Sequence, residues 1–160
     1  CADSPLIDPR MVDELVGEYL ERLPACDYLS NTINQSCPLG MNSEVFSRDA
    51  LERAHADARD LYEREHVTPY IYLNREKFHV CEKHYVPDLS ALRLTLDTAE
   101  DFALVQQILE QIYPGMPDFG LSDVVGLLER NPRLREIVPA AKSQYERRPK
   151  EIAASAPGST

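Results

Sequence analysis

The stretch Leu92-Arg93-Leu94-Thr95-Leu96-Asp97-Thr98-Ala99-Glu100-Asp101-Phe102 changes its period halfway along. Leu92, Leu94 and Leu96 alternate as in a strand, and the alternation stops at Asp97. Thr98-Ala99-Glu100-Asp101 then reads as a capping box with Asp in place of Glu or Gln, after which Phe102, Val105, Leu109 and Ile112 recur at helical spacing. A strand that passes directly into a capped helix belongs to a layered α/β domain rather than to a helical bundle.

The same grammar recurs on either side. Asp8-Pro9 ahead of Val12, Leu15, Val16, Tyr19, Leu20 and Leu23 predicts a helix with Asp8 as N-cap, ended by Pro24. Tyr28 to Ile33, Ser43 to Phe46 and Lys77 to Cys81 read as short strands. Ser47 is expected to cap a helix, and a helical stretch from Tyr62 to about Leu73 is expected to start or kink at Pro69. Ser122 is expected to cap a helix over Val124 to Leu128, and Asn131-Pro132 to open a last helical turn. Residues 1–145 therefore read as a folded α/β portion, and 146–160, rich in Pro, Ala, Ser and Gly, as a disordered tail.

Seventeen basic against 27 acidic side chains in 160 residues give a formal charge of −10, which argues against a duplex nucleic-acid partner, since phosphate binding needs clustered Lys and Arg. No apolar run approaches a membrane span and no signal-peptide pattern is present, so the chain reads as cytoplasmic. The four cysteines, Cys1, Cys26, Cys37 and Cys81, are scattered, as suits reduced thiols. The chain begins at Cys1 rather than Met and reaches motif-like sequence within a few residues, as expected of a piece of a longer protein.

Asp3 and Asp97 each stand where a chain segment meets a helix start, the place where open α/β sheets bind ligands; two carboxylates converging there suit Mg²⁺ held against phosphates. The competing role is capping, which favours Asp before a helix for its own sake. Glu63-Arg64-Glu65-His66-Val67-Thr68-Pro69-Tyr70 is the densest polar cluster, either a site for a polyhydroxy acid or a solvated helix face. His79, Cys81 and His84 carry soft ligand atoms, but the spacing matches no common zinc pattern. Tyr70 and Tyr72 read as packing residues, and no Gly-rich phosphate loop or Gly-x-Ser-x-Gly elbow is present.

Four of these segments occur in an order that resembles a known family: Ala2-Asp3-Ser4-Pro5-Leu6-Ile7-Asp8-Pro9, Pro38 to Phe46, Tyr62 to Tyr72, and Leu94 to Phe102. Together they resemble the spore-coat polysaccharide type of cytidylyltransferase, a relative of the CMP-sialate and CMP-KDO synthetases. The resemblance implies a Rossmann-like nucleotide-diphospho-sugar transferase fold, with a mixed sheet flanked by helices, that joins CTP to a sugar acid with loss of pyrophosphate. It implies that Asp3 and Asp97 bind Mg²⁺, that Asn42, Glu44 and Arg64 face the substrate, and that His66, beside Glu65, accepts a proton. The chain departs from the family at Ala2, where Gly is usual, at Asn42, where Asp is common, and at Ala99, where Pro is usual. Asn42 lacks the carboxylate that would let its loop bind metal.

The family's opening strand and nucleotide-gripping loop of the Ala-Arg-x-x-Ser-x-Arg-Leu-Pro-Gly-Lys kind are not found in this sequence, so the chain is expected to be a C-terminal portion unable to complete catalysis alone. The rival reading is a non-catalytic acidic α/β module kept for assembly. Unpaired strand edges make a homodimer the expectation under either.

Overall fold

The structure, a computed structural model, describes residues 3–137. Its ten elements are α1 (Pro9–Glu21), β1 (Tyr28–Ser30), β2 (Glu44–Phe46), α2 (Arg48–Asp57), α3 (Leu61–His66), α4 (Pro69–Leu73), β3 (Val80–Glu82), α5 (Ala99–Ile112), α6 (Leu121–Arg130) and α7 (Pro132–Ile137). The three strands form a mixed sheet in the order β2-β1-β3. β1 runs antiparallel to β2 (Leu29 opposite Val45) and parallel to β3 (Leu29 opposite Cys81). The parallel pair needs a long crossover, which β2 and α2 to α4 supply.

Alternation along β1 divides the core. Tyr28 turns to one face and packs with Ala50 and Ala54 of α2, Tyr70 and Ile71 of α4, and Phe78. Leu29 turns to the other, onto Leu15 and Tyr19 of α1, with Val45 and Cys81 beside it. A third cluster joins Leu104, Val105 and Ile108 of α5, Val124 and Leu128 of α6, and Leu134 of α7 to Leu6, Met41 and Leu94. The expected α/β layering is thus observed, with α1 over one face of the sheet and α2 and α4 over the other.

Several boundaries differ from the sequence reading. Leu92 to Leu96 is not a strand: one parallel bridge, Leu39 to Arg93, is all the pairing it makes among the described residues. Leu92 and Leu94 dock on the α5–α7 cluster instead, where Leu94 is fully buried. The Tyr62–Leu73 stretch is two helices, broken at Val67. β1 stops at Ser30 because the following Asn31 and Thr32 spend their polar groups on a loop, and β3 starts three residues later than expected and ends one later, at Val80–Glu82.

Ser122 is not an N-cap. Helix α6 begins earlier, at Leu121, whose N–H donates to Asp8 Oδ2 (2.8 Å), while Asp123 Oδ2 accepts from the Gly120 N–H (2.9 Å). The same Asp8 caps α1 through Oδ1 and the Arg10 N–H (2.9 Å), as its place before Pro9 predicts. Ser47 and Thr98 cap α2 and α5 as expected, the latter in a reciprocal box with Asp101. The expected tail at 146–160 lies outside the described residues. Among the described residues no helix is long and apolar enough to cross a membrane.

Candidate functional site

At the end of β1 the chain turns through Ser30-Asn31-Thr32, all three buried despite their polarity. Burial requires each polar group to find a partner. The Asn31 side chain donates from Nδ2 to the Met41 carbonyl (2.9 Å) and accepts at Oδ1 from the Ser43 N–H (2.8 Å), so it splints the loop on both sides of Asn42. Ser30 Oγ lies 2.7 Å from Thr32 Oγ1 and accepts from the Thr32 N–H (3.0 Å). The splint presents Asn42, Ser43 and Glu44 to a cleft of about 340 Å³, whose opposite wall is His66, Thr68 and Tyr72.

Glu44 is the most constrained group there. Its Oε1 accepts from the Tyr28 hydroxyl (2.5 Å), and Oε2 from Thr68 Oγ1 (3.0 Å), so the carboxylate is oriented before any ligand arrives. Asn42 Oδ1 is buried and has no hydrogen-bond partner among the described residues. The opposite wall is set by an unusual turn: Val67 has φ 69° and ψ −56°, and the Thr68 N–H donates to the His66 carbonyl (2.8 Å). This is a γ-turn of the rare positive-φ kind, held by a β-branched residue that strongly disfavours it. It places His66 and Thr68 side by side on the cleft. The His66 ring is exposed and packs against Tyr62 (centroids 4.5 Å apart).

The other predicted residues of this cluster go elsewhere. Successive helical residues point about 100° apart, so a short helix cannot aim Arg64, Glu65 and His66 at one spot. Arg64 reaches toward the Ala58 carbonyl (3.4 Å) and, with Glu63, lines a separate, mainly apolar hollow between α2 and α3. Glu65 is exposed and does not line the cleft.

The two aspartates do come near one another. The Leu96 N–H donates to the Asp3 carbonyl (2.8 Å), which sets Asp3 beside the residue preceding Asp97, and both side chains are exposed. Asp97 Oδ2 accepts from Arg93 Nη2 (2.5 Å); the same guanidinium reaches the buried Asp101 at 3.1 and 3.4 Å. Burial pushes the Asp101 pKa up, but Arg93 and the backbone N–H groups of Asp97 and Thr98 outweigh it, and the carboxyl ends below its ordinary range. Arg93 is held correspondingly higher, by its hydrogen bonds to Asp101 first.

No group of three or more His, Cys, Asp or Glu side chains among the described residues is arranged to hold a metal by itself. Two exposed hard carboxylates nevertheless fit Mg²⁺, which takes one or two protein oxygens and completes its shell with phosphate oxygens and water. The softer candidates separate: His79 pairs with Asp27 (3.2 Å), His84 approaches Glu82 (3.8 Å), and Cys81 packs against Leu29 and its neighbours.

Gly40 couples the aspartate edge to the cleft. At φ 101° its backbone approaches Leu94 so closely that a Cβ would meet the Leu94 carbonyl at 2.8 Å, and the Leu94 N–H donates to Leu39 (2.7 Å). The segment ending at Asp97 and the loop carrying Asn42 are thus locked together, a relation Pro38-Leu39-Gly40 alone does not reveal. Sequence reading also missed Tyr28 and Asn31, which act by holding other groups, as does Thr68 of the Glu63–Tyr70 cluster; the polar run Ser30-Asn31-Thr32 directly after an apolar strand was the available signal.

The chain is 36% identical over 137 residues to an uncharacterized protein of Methanocaldococcus jannaschii, a match covering 84% of this chain and 54% of that one. It is similar to a cytidylyltransferase structure from Leptospira borgpetersenii serovar Hardjo-bovis, with a TM-score of 0.78 and 32% identity over 82% of this chain and 55% of that one. The chain therefore spans about half the length of these relatives. With a cytidylyltransferase family model matching residues 1–122 and this likeness of the mixed α/β fold, this chain belongs to the cytidylyltransferase family.

Proposed function

We infer that this chain supplies the sugar side and the metal edge of an enzyme that joins CTP to a sugar acid, releasing pyrophosphate and a CMP-sugar for surface polysaccharide synthesis. A sugar hydroxyl attacks the α-phosphorus of CTP, forming the new P–O bond as the bond to the β-phosphate oxygen breaks. Asp3 and Asp97 are the residues for Mg²⁺, which when bound neutralises charge on the phosphoryl oxygens. Glu44, already oriented by Tyr28 and Thr68, accepts from sugar hydroxyls, and the unsatisfied Asn42 Oδ1 takes another. The sugar's own carboxylate is repelled by Glu44 and turns toward His66 on the other side of the cleft. His66 takes the proton of the attacking hydroxyl; exposed Glu65 and averted Arg64 are less well placed for the roles the resemblance assigned them.

The observation that most supports this reading is that Asn42, Glu44 and His66, drawn from two separate motifs, line one cleft that Gly40 couples to the Asp97 segment. Among the described residues β2 and β3 are the outer strands of the sheet, which supports a homodimer, and the acidic, spanless character supports a cytoplasmic protein. Isothermal titration of CTP, with and without Mg²⁺, into this chain and into a version extended upstream in its reading frame tests the proposal. Mg²⁺-dependent binding by the extended protein, lost in Asp97→Asn, is expected. If neither protein binds CTP, the chain is an assembly module instead, and a tight dimer indifferent to nucleotide would identify it as such.

A further inference from the structure

Arg93 stands between the aspartate edge and the cleft, and neither hydrophobic periodicity nor the family resemblance gives it a role. Its backbone makes the parallel bridge to Leu39, at the start of the turn that leads through Gly40 to Asn42. Its guanidinium reaches two carboxylates at once. Nε and Nη2 lie 3.4 and 3.1 Å from Oδ1 and Oδ2 of Asp101, and the same Nη2 donates to Asp97 Oδ2 at 2.5 Å.

The two carboxylates differ in what they can do. Asp101 is 1% exposed and its Oδ2 also accepts from the Asp97 and Thr98 N–H groups, both at 3.0 Å, so it is the anchor. The Asp97 side chain is 41% exposed and so accessible to a ligand. Backbone and side chain of Asp97 are thus referred to one buried group, the first directly and the second through Arg93. The Leu96 N–H, one residue earlier, holds the Asp3 carbonyl (2.8 Å), which ties the other aspartate to the same segment. A planar guanidinium holds two carboxylates in one fixed fork, which a flexible ammonium does not. An isolated cation beside a metal-binding carboxylate would repel the metal, but Asp101 neutralises this one, so Arg93 orients Asp97 without adding net positive charge to the edge.

We propose that Arg93 is a positioning residue for Mg²⁺: it holds Asp97 Oδ2 and so sets that carboxylate before the ion arrives. The inference rests on the reading of Asp97 as a Mg²⁺ residue. Groups that orient a metal-binding side chain in this way are worth roughly 10- to 100-fold in metal affinity.

The test titrates Mg²⁺ into the protein extended upstream, at fixed CTP, and follows CTP binding by calorimetry. Arg93→Met is combined with Asp101→Asn, which keeps the net charge and leaves an oxygen at position 101 for the Asp97 and Thr98 N–H groups. The Mg²⁺ concentration giving half of the binding should rise about tenfold in this double variant, with the wild-type plateau regained at saturating Mg²⁺. Arg93→Lys, which keeps the charge but not the fork, should fall between the two. An unchanged midpoint overturns the proposal and leaves the Asp97 reading standing. A lower plateau also overturns it, since a distorted site loses binding that Mg²⁺ cannot restore. Asp97→Asn separates the two claims: if it leaves the Mg²⁺ midpoint where it was, or if the extended wild type shows no Mg²⁺-dependent binding, the metal reading falls and the role of Arg93 with it. Where circular dichroism shows the double variant unfolded, Arg93→Lys decides by the same midpoint and plateau.

Discussion

Glu44 shows how much of this site is built by groups that need never touch a ligand. Its orientation depends on the hydroxyl of Tyr28, a fully buried residue whose ring packs on Phe46 and Tyr72. Tyr28→Phe keeps the ring's volume and removes only the donor. A hydrogen bond to a charged group contributes about 1.5–3 kcal/mol, so the urea midpoint should fall by the equivalent of about 2 kcal/mol, with sugar-acid affinity falling too. At the other edge, Asp101 is buried and satisfied by Arg93 and two backbone N–H groups. Asp101→Asn leaves Arg93 only the exposed Asp97 and should cost about 3 kcal/mol. Because the Asp101 carboxyl is held below its ordinary value of about 3.9, its contribution is complete above that pH and is lost as pH falls through the depressed native value. Urea titrations from neutral pH downward should therefore show the gap between wild type and Asp101→Asn narrowing on the acid side.

The α3–α4 junction is where an element, rather than a residue, carries the site. A helix continuous from Tyr62 to Leu73 would carry His66 and Thr68 to different sides, since residues two apart are about 200° apart around the axis. The turn at Val67 breaks that helix and sets both on one wall, at the cost of a β-branched residue in a positive-φ conformation. Strain of this kind costs about 1–3 kcal/mol and persists only where the surroundings enforce it. Val67→Gly should relieve it and, after the added flexibility of glycine, stabilise the fold by about 1 kcal/mol in thermal or urea unfolding. The same change should weaken ligand binding at the cleft, because the wall would no longer be held in a single geometry.

Across the whole molecule, the chain's beginning is fastened to its later helices by one carboxylate. Asp8 caps α1 with one oxygen and α6 with the other, 113 positions away, and is 7% exposed between them. Losing two caps at about 1 kcal/mol each, Asp8→Ala should destabilise by about 2 kcal/mol. Gly120 sits so near that an added Cβ would collide with the Asp8 carboxylate, although its own φ of −124° suits any residue. Gly120→Ala should thus be costly in the wild type and nearly neutral once Asp8 is Ala. A double-mutant cycle by urea denaturation should give a coupling of about 1–2 kcal/mol.

The amino-acid sequence by itself determined the α/β class, the Asp8, Ser47 and Thr98 caps, and the motifs of the cytidylyltransferase family, all of which rest on neighbours within a few positions of one another. It also placed Asn42, Glu44 and His66 as candidates, through a resemblance rather than through periodicity. Only the tertiary structure decided that these three share a cleft while Arg64 and Glu65 do not, because a single backbone turn at Val67 sets the directions. It also decided that the alternating Leu92, Leu94 and Leu96 make no strand, since a period of two reports only that one side is apolar, and here that side meets helices α5 to α7 instead of a neighbouring strand. Half of the α6 cap was illegible for the same reason: Asp123 accepts locally from the Gly120 N–H, but the oxygen for the Leu121 N–H comes from Asp8, 113 positions away.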